Sequence, residues 1–488
     1  MADAGGQSVG QDREIETDIP QRLDRLPWSG WHLRILTALG TSWILDGLEV
    51  TLVGSLSGIL ESKEGLHLSD AQVTGAATTY LAGAVMGALL FGYLTDRLGR
   101  RKLFLVTLAT YSLATVASAF SWNLLSFSLF RFFTGVGIGG EYAAINSAVD
   151  ELIPGKVRGT VDLVVNGTFW LGATGGSLGA MYLLAGHLPF GITQHLAWRL
   201  AFGIGGSLGA IVLVLRLFVP ESPRWLMLRR HEEDAGKVVE DIENRASKGD
   251  KDKLPKPEGD KLKIKVRDHT PLAEIFKNMA GENRMRSVLG LVLMVAQAFF
   301  FNAVFFSYGL VVKKFFHVSD KELPLHLLPF AIASFLGPVT LGKLFDKVGR
   351  KPMITISYGA AGLLLAVVLF LFGGGTIEAK GRGICFSVIF FIASSAASAA
   401  YLTVSEIFPL EIRAFAIAIF YALGTLVGGA GAPLLFGFLI ETGSKWAVAG
   451  GYALGAALMI TGAVFEHFIG VEAAGQSLES VSKPLQSS

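Results

Sequence analysis

The sequence predicts an all-α integral membrane protein, with twelve transmembrane helices in two pseudo-symmetric six-helix bundles. Three observations carry this expectation. The 488-residue chain is 51% hydrophobic and only 17% charged, well under the roughly 25% charged residues of soluble domains. Twelve stretches reach the about 20 mostly apolar residues that cross a bilayer. Two charged motifs also recur in order at nearly one offset, the mark of a duplicated bundle.

In chain order, the expected spans cover about 32–59, 72–95, 103–120, 124–149, 159–186 and 198–219, then 287–312, 324–346, 353–373, 384–404, 414–440 and 446–468. Span 3 is the cleanest, with neither charge nor proline from Leu103 to Phe120. Spans 1, 4, 5, 7, 10 and 11 carry Gly, Asn or acidic residues, as expected of helices that face a bundle interior. The expected division is a cytoplasmic tail 1–30, a first bundle 31–219, a cytoplasmic loop 220–285, a second bundle 286–469 and a cytoplasmic tail 470–488. The polar N-terminus does not read as a cleavable signal, so span 1 would itself direct insertion. In the loop, short amphipathic helices are expected at about 221–229 and 232–246, with disorder over 247–260. Short loops rich in Lys and Arg (Arg97 to Lys102, Lys156 and Arg158, Lys347 to Lys351, Arg413) place both termini in the cytoplasm of a multi-pass protein of the cell membrane.

The first repeated motif is Gly92-Tyr-Leu-Thr-Asp96-Arg97-Leu-Gly99-Arg100-Arg101, matched 250 residues later by Gly342-Lys-Leu-Phe-Asp346-Lys347-Val-Gly349-Arg350-Lys351. The second is Glu151-Leu-Ile-Pro154-Gly-Lys-Val-Arg158, matched by Glu406-Ile-Phe-Pro409-Leu-Glu-Ile-Arg413. Together they read as a cytoplasmic gate. The Asp can cap a helix N-terminus, and the Gly residues permit close helix approach. Arg100 and Arg101 are within reach of Glu151, and Arg350 of Glu406. At a half-wet membrane edge each such pair would contribute about 1 kcal/mol. Topology alone would explain the Lys and Arg of these turns, but not the matching Asp, Glu and Gly.

These motifs resemble the major facilitator superfamily along the whole chain, in its sugar-porter-like and metabolite–proton symporter branch. The resemblance also rests on Arg131-x-x-x-Gly135-x-Gly137-x-Gly139 in span 4, on Pro220-Glu221-Ser-Pro-Arg224-Trp-Leu after span 6, and on a degraded final motif from Val471 to Glu479. It implies the twelve-helix facilitator fold, a secondary transporter of a small organic solute working by alternating access, and gate roles for Glu221 and Arg224. It also implies that the acidic residue at Asp46 carries a proton.

Asp46 and Glu49 lie inside span 1, Arg131 and Glu141 inside span 4. At 1.5 Å per residue, Asp46 lies about 22 Å from the cytoplasmic face and Arg131 about 10 Å from the outer face. In a core of about 30 Å these depths match, so Asp46 is the expected partner of Arg131, either as a proton relay or as a static ion pair. Glu141 is a second proton site, a ligand for a cationic substrate group, or the partner of an arginine or lysine on another helix. Asp162, near the cytoplasmic end of span 5, is expected to be wet.

By the same resemblance, the substrate-binding candidates are Asn166, Gln297, Asn302 and Tyr401, to which the aromatic pattern adds Trp170. One amide of the family's span 7 signature is replaced by Ala296, and Tyr401 stands where the family has Trp. The site thus reads as more aromatic than a hexose site, with Phe299 to Phe301, Phe305, Phe306, Tyr308 and Trp170 as a possible apolar wall. That leans toward an organic acid, a heterocyclic metabolite or an amphipathic solute. Expected partners are the substrate, protons and lipid, with no nucleic acid, in a monomer. A facilitator or proton-driven exporter stands as the alternative. A sensor would need an appended signalling domain, and an enzyme a catalytic cluster at membrane depth. The nine histidines pair with no nucleophile motif, and the single cysteine, Cys385, makes a Cys-ligated metal site unexpected. No cofactor and no metal are expected, and no Walker-type loop supports ATP-driven transport.

Overall fold

A computed structural model describes residues 13–63, 65–184, 193–257, 261–267, 270–317, 323–375 and 379–485. Twelve helical segments follow the expected order. Spans 1 to 4 are Gly30–Glu61, Asp70–Leu98, Arg100–Ser118 and Leu124–Leu152. Span 5 is Arg158–Gly167 followed by Phe169–Leu184, and span 6 is Gln194–Arg216. In the second bundle, span 7 runs Arg284–Phe301, through a π-helical Asn302–Phe306, to Ser307–Phe316. Spans 8, 9 and 10 are Leu323–Lys347, Arg350–Gly373 and Ala379–Ile407. Span 11 runs Arg413–Gly424, through a π-helical Thr425–Gly431, to Ala432–Glu441, and span 12 is Lys445–Ile469. Among the described residues, nine helices are long and apolar enough to cross a membrane by length and composition. Spans 3, 4 and 5 fall outside that set: span 3 opens on three charges, span 4 is interrupted by buried polar groups, and span 5 is broken at Thr168.

The glycines of span 4 explain how the first bundle packs. A Cβ on Gly135 or Gly139 would fall about 2 Å from the carbonyl oxygen of Tyr80 or Ala84 on span 2, and one on Gly137 would strike Tyr111 of span 3. Backbones in contact need residues without side chains. The bundles then meet through span 2 against span 11 and span 8 against span 5, the two contacts related by the repeat. Leu113, Phe133, Phe218, Phe370 and Phe468 face outward, the apolar exposure a bilayer covers.

The segment between spans 6 and 7 is more ordered than expected. Its first helix is shorter, Pro223–Leu228, and the second is Glu232–Ala246. Within 247–260, expected to be disordered, Lys251–Lys253 forms a 3-10 turn, while 258–260 lie outside the described residues. Strand Leu262–Val266 pairs antiparallel with Arg13–Thr17 of the N-terminal segment, with Ile15 opposite Ile264. Residues 1–12 of the expected tail lie outside the described residues.

Candidate functional site

Two charge systems occupy the interior. The first joins the bundles at the end where segments 13–29 and 470–485 pack. Asp96, in the last turn of span 2, accepts from the backbone N–H of Ala414 (3.3 Å) and Phe415 (2.9 Å), the first turn of span 11. Asp346 of span 8 accepts from Gly159 (3.0 Å) and Thr160 (2.8 Å), the first turn of span 5. Each carboxylate therefore caps a helix of the opposite bundle, where exposed N–H groups and the helix dipole favour an anion. Gly92 presses against Ala418 and Gly342 against Thr160 at the same two crossings.

Around these caps run two chains of ion pairs. Arg100 reaches Glu151 at 2.7 Å and Asp96 at 3.0 Å, and Arg413 approaches Glu151 at 3.8 Å from the other bundle. In the mirror arrangement, Arg350 reaches Glu406 at 3.0 Å and Asp346 at 2.8 Å, and Arg158 reaches Glu406 at 3.4 Å. The pairs are not half in water as expected: Arg100, Glu151, Arg158, Arg350, Glu406 and Arg413 are at most 1% exposed. Their cost of rupture is therefore that of buried pairs, about 3–5 kcal/mol when one partner is removed. Arg101 does not reach Glu151; its guanidinium donates to the Leu217 carbonyl. Arg97 is exposed and stands outside the ion pairs.

The turns that start spans 3 and 9 are also alike. Gly99 (φ +98°) and Gly349 (φ +122°) adopt backbone angles that suit only glycine, and a Cβ there would meet the carboxylates of Glu221 and Glu472 respectively. Glu221 accepts from the amides of Arg100 (2.8 Å) and Arg101, and Glu472 from those of Arg350 (2.8 Å) and Lys351. Burial pushes Glu221 above the usual carboxylate range, against these backbone donors. Glu472, the counterpart of Glu221, was not among the expected site residues. The signal was its place in the degraded final motif at the offset of the repeat. Arg224 pairs with Asp24 (3.1 Å) and Glu479 (3.5 Å), tying the loop to both terminal segments.

In the turn between spans 10 and 11, Glu411 is 4% exposed, and burial raises its carboxyl to about 7. A folded-state value above the unfolded one means that the protonated form suits the fold. The associated stability is full below about pH 4 and lost as pH rises through about 7. We expect Glu411→Gln to remove a pH-dependent loss of thermal stability between pH 5 and 8, on the order of 3 kcal/mol, measured as melting temperature in detergent.

The second charge system lies within the first bundle. Arg131 pairs with Glu49 at 2.5 Å, not with Asp46 as expected. Glu49 lies one helical turn farther along span 1, about 4.5 Å deeper, and that offset decides which carboxylate meets the arginine. Glu141 pairs with Arg216 of span 6, which also donates to Ser42 and stacks 4.5 Å over Phe104. Arg216 was missed because it ends an apolar span and reads as a boundary charge. Asp46 is 1% exposed, and neither of its carboxylate oxygens has a hydrogen-bond partner among the described residues. Its electrostatic neighbours are Glu141, Arg216 and Glu49. The system thus holds three carboxylates against two guanidinium groups.

Between the two charge systems the bundles meet through aromatic rings. Trp43 and Tyr142 of the first bundle contact Tyr401 at 6.2 and 6.1 Å, and Tyr142 stacks on Tyr421 at 4.5 Å. Trp170 contacts Phe301 at 5.6 Å and Phe390 at 6.4 Å. Among the substrate candidates, Tyr401 and Gln297 share a hydrogen bond. Asn302 donates to Ala298 of its own helix at 2.7 Å, at the start of the π segment. Asn166 donates to Asn146 (3.1 Å) and Asp162 (3.1 Å). Asp162 is fully buried rather than wet. Phe300 and Tyr308 are buried in the second bundle's core, so they are packing residues and not a wall; the side chains of Phe305 and Phe306 lie outside the described residues.

A family model described as "Sugar (and other) transporter" matches residues 47–484. The chain belongs to this family. It is a membrane transporter of the major facilitator superfamily, with twelve helices in two six-helix bundles, and not an enzyme. The transporter is 28% identical to the niacin transporter NiaP of Acinetobacter baylyi over 86% of this chain and 89% of that protein. It is 26% identical to the cis,cis-muconate transport protein of the same organism over 90% of this chain and 94% of that one. Its fold matches the proton:xylose symporter XylE bound to 6-bromo-6-deoxy-D-glucose with a TM-score of 0.74 at 20% identity, covering 92% of this chain and 98% of XylE.

Proposed function

We propose that this transporter is a proton-coupled symporter of the cell membrane, monomeric, with both termini in the cytoplasm. One observation carries the reading: Asp46 is a buried carboxylate without a hydrogen-bond partner among the described residues, beside two ion pairs. With all five groups ionised the cluster carries one surplus negative charge. Sealing that charge inside a membrane is costly, and one proton on Asp46 removes it without breaking either pair. Occlusion is then favoured only when Asp46 is protonated, which ties a proton to each conformational cycle. Arg131–Glu49 and Arg216–Glu141 serve as fixed pairs that keep Asp46 isolated.

The reciprocal caps and ion pairs form the cytoplasmic gate in its closed state. The residues that act in it are Gly92, Asp96, Gly99, Arg100, Glu151, Arg158, Glu221 and Arg224, with Gly342, Asp346, Gly349, Arg350, Glu406 and Arg413. Each half locks the other, as a rocking motion between repeats requires. The substrate passes the aromatic layer of Trp43, Tyr142, Trp170, Tyr401 and Tyr421, with Gln297 as its polar contact. Rings of this kind suit a small planar organic acid or heterocycle, the class to which niacin and muconate, named for two relatives, belong. Asn166 spends its amide donors on Asn146 and Asp162, and Asn302 spends one on Ala298, which disfavours a hydroxyl-rich sugar. A panel of sugars, monocarboxylates, aromatic acids and nicotinate, offered to energised vesicles with and without a protonophore, tests this. Uptake of an aromatic acid that collapses with the protonophore supports it. Protonophore-indifferent uptake favours a facilitator.

A further inference from the structure

The N-terminal segment is built into the gate. Strand Arg13–Thr17 pairs with Leu262–Val266, and Ile19, Leu23 and Leu26 enter the first bundle's core. Arg22 and Arg25 grip Glu243 at 2.7 and 2.6 Å, holding the segment against helix Glu232–Ala246. Burial opposes ionisation of Glu243, but the two arginines prevail and hold its carboxyl below the usual range, so the clasp stays ionised at neutral pH. It persists until the pH falls through that lowered value.

The clasp delivers Asp24 to the space between two fully buried arginines. Its carboxylate lies 3.5 Å from Arg158 and 3.1 Å from Arg224. The Asp24 side chain is 20% exposed, but both oxygens are shielded from solvent. Arg158 is the residue that crosses to Glu406, and Arg224 the one that reaches Glu479. Glu406 is held more closely by Arg350, and among the described residues Asp24, shared with Arg224, is the other carboxylate within 4 Å of Arg158. In the closed, dry gate an arginine short of a carboxylate is costly. Once the gate opens, water solvates it. Loss of Asp24 therefore penalises the closed state alone.

We propose that Asp24 is a positioning residue of the cytoplasmic gate: the N-terminal segment holds Arg158 and Arg224 toward the second bundle and the C-terminal segment, and so holds that side shut. The inference rests on reading this end as the gate. It is tested by double electron–electron resonance in a Cys385→Ser background, with labels at the exposed Lys102 and Lys347. Glu406→Gln reports on the gate itself and should populate longer distances. Asp24→Asn should do the same, raising the open-to-closed ratio at least tenfold, while Asp24→Glu restores the closed distances. In transport assays Asp24→Asn should raise KM for external substrate more than it lowers kcat. If Asp24→Asn fails to fold, Arg224→Gln must give the open shift in its place. An open shift in Glu406→Gln with unchanged distances in Asp24→Asn overturns the role of Asp24. Unchanged distances in Glu406→Gln overturn the gate reading and this inference with it.

Discussion

Asp46→Asn is expected to abolish uphill substrate accumulation in energised vesicles while leaving counterflow exchange intact. The amide mimics a permanently protonated carboxyl. It removes the surplus negative charge beside the Arg131–Glu49 and Arg216–Glu141 pairs without breaking either. The bundles can then reorient with substrate bound, but no proton need accompany them. The expected drop in accumulation ratio is at least tenfold, to the level set by the substrate gradient alone, because a coupled step is lost rather than slowed. Counterflow is the control, since a variant that merely unfolds loses both activities. Accumulation that persists in Asp46→Asn would assign the proton elsewhere, with Glu49 and Glu141 the next candidates.

The second large effect is expected at Glu141 and Arg216. Both are fully buried, and the guanidinium also serves Ser42 and lies over Phe104. Glu141→Gln breaks the close pair and leaves Arg216 with only the more distant Asp46, and Arg216→Met leaves a buried carboxylate. Each is expected to cost about 3–5 kcal/mol of stability. The double variant removes both charges and should recover most of that loss, a coupling a double-mutant cycle reads directly. The cycle also separates roles. If the pair is fixed, the double variant folds and still couples protons through Asp46. If Glu141 itself exchanges protons during transport, the double variant is stable but uncoupled. Melting temperature and protonophore-sensitive uptake, measured on the same four proteins, distinguish these outcomes.

The architecture was legible because bilayer thickness forces long apolar helices, and because a duplicated gene leaves two copies of each turn. The gate was legible in part for the same reason: Asp96 with Asp346, and Glu151 with Glu406, are matched at nearly one offset. What sequence could not show is that each copy caps the opposite bundle. That depends on span 2 meeting span 11 and span 8 meeting span 5, a relation between helices far apart in the chain. The burial of the ion pairs was hidden for the same reason. Partner choice inside the first bundle turned on a distance of one helical turn, which separates Asp46 from Glu49 and lies within the error of a depth reckoned from span ends. Arg216 was hidden by its position at the edge of span 6.

A different signal was present and passed over at the N-terminus. Leu262, Ile264 and Val266 alternate with lysines, and Ile15 sits between two glutamates. Alternation of this kind marks a half-buried strand. In a chain dominated by helices, these short runs resemble tail and linker, although together they bring Asp24 to Arg158 and Arg224.

Coupling is tested most directly by watching the proton itself. Purified transporter is sealed in vesicles carrying a luminal pH dye, with no imposed gradient, and aromatic acids, nicotinate and sugars are added outside one at a time. The wild type should acidify the lumen only when a transported substrate is added, and Asp46→Asn should carry labelled substrate in exchange with no acidification. Net uptake of labelled substrate by the wild type without any luminal pH change would contradict proton symport and identify a facilitator.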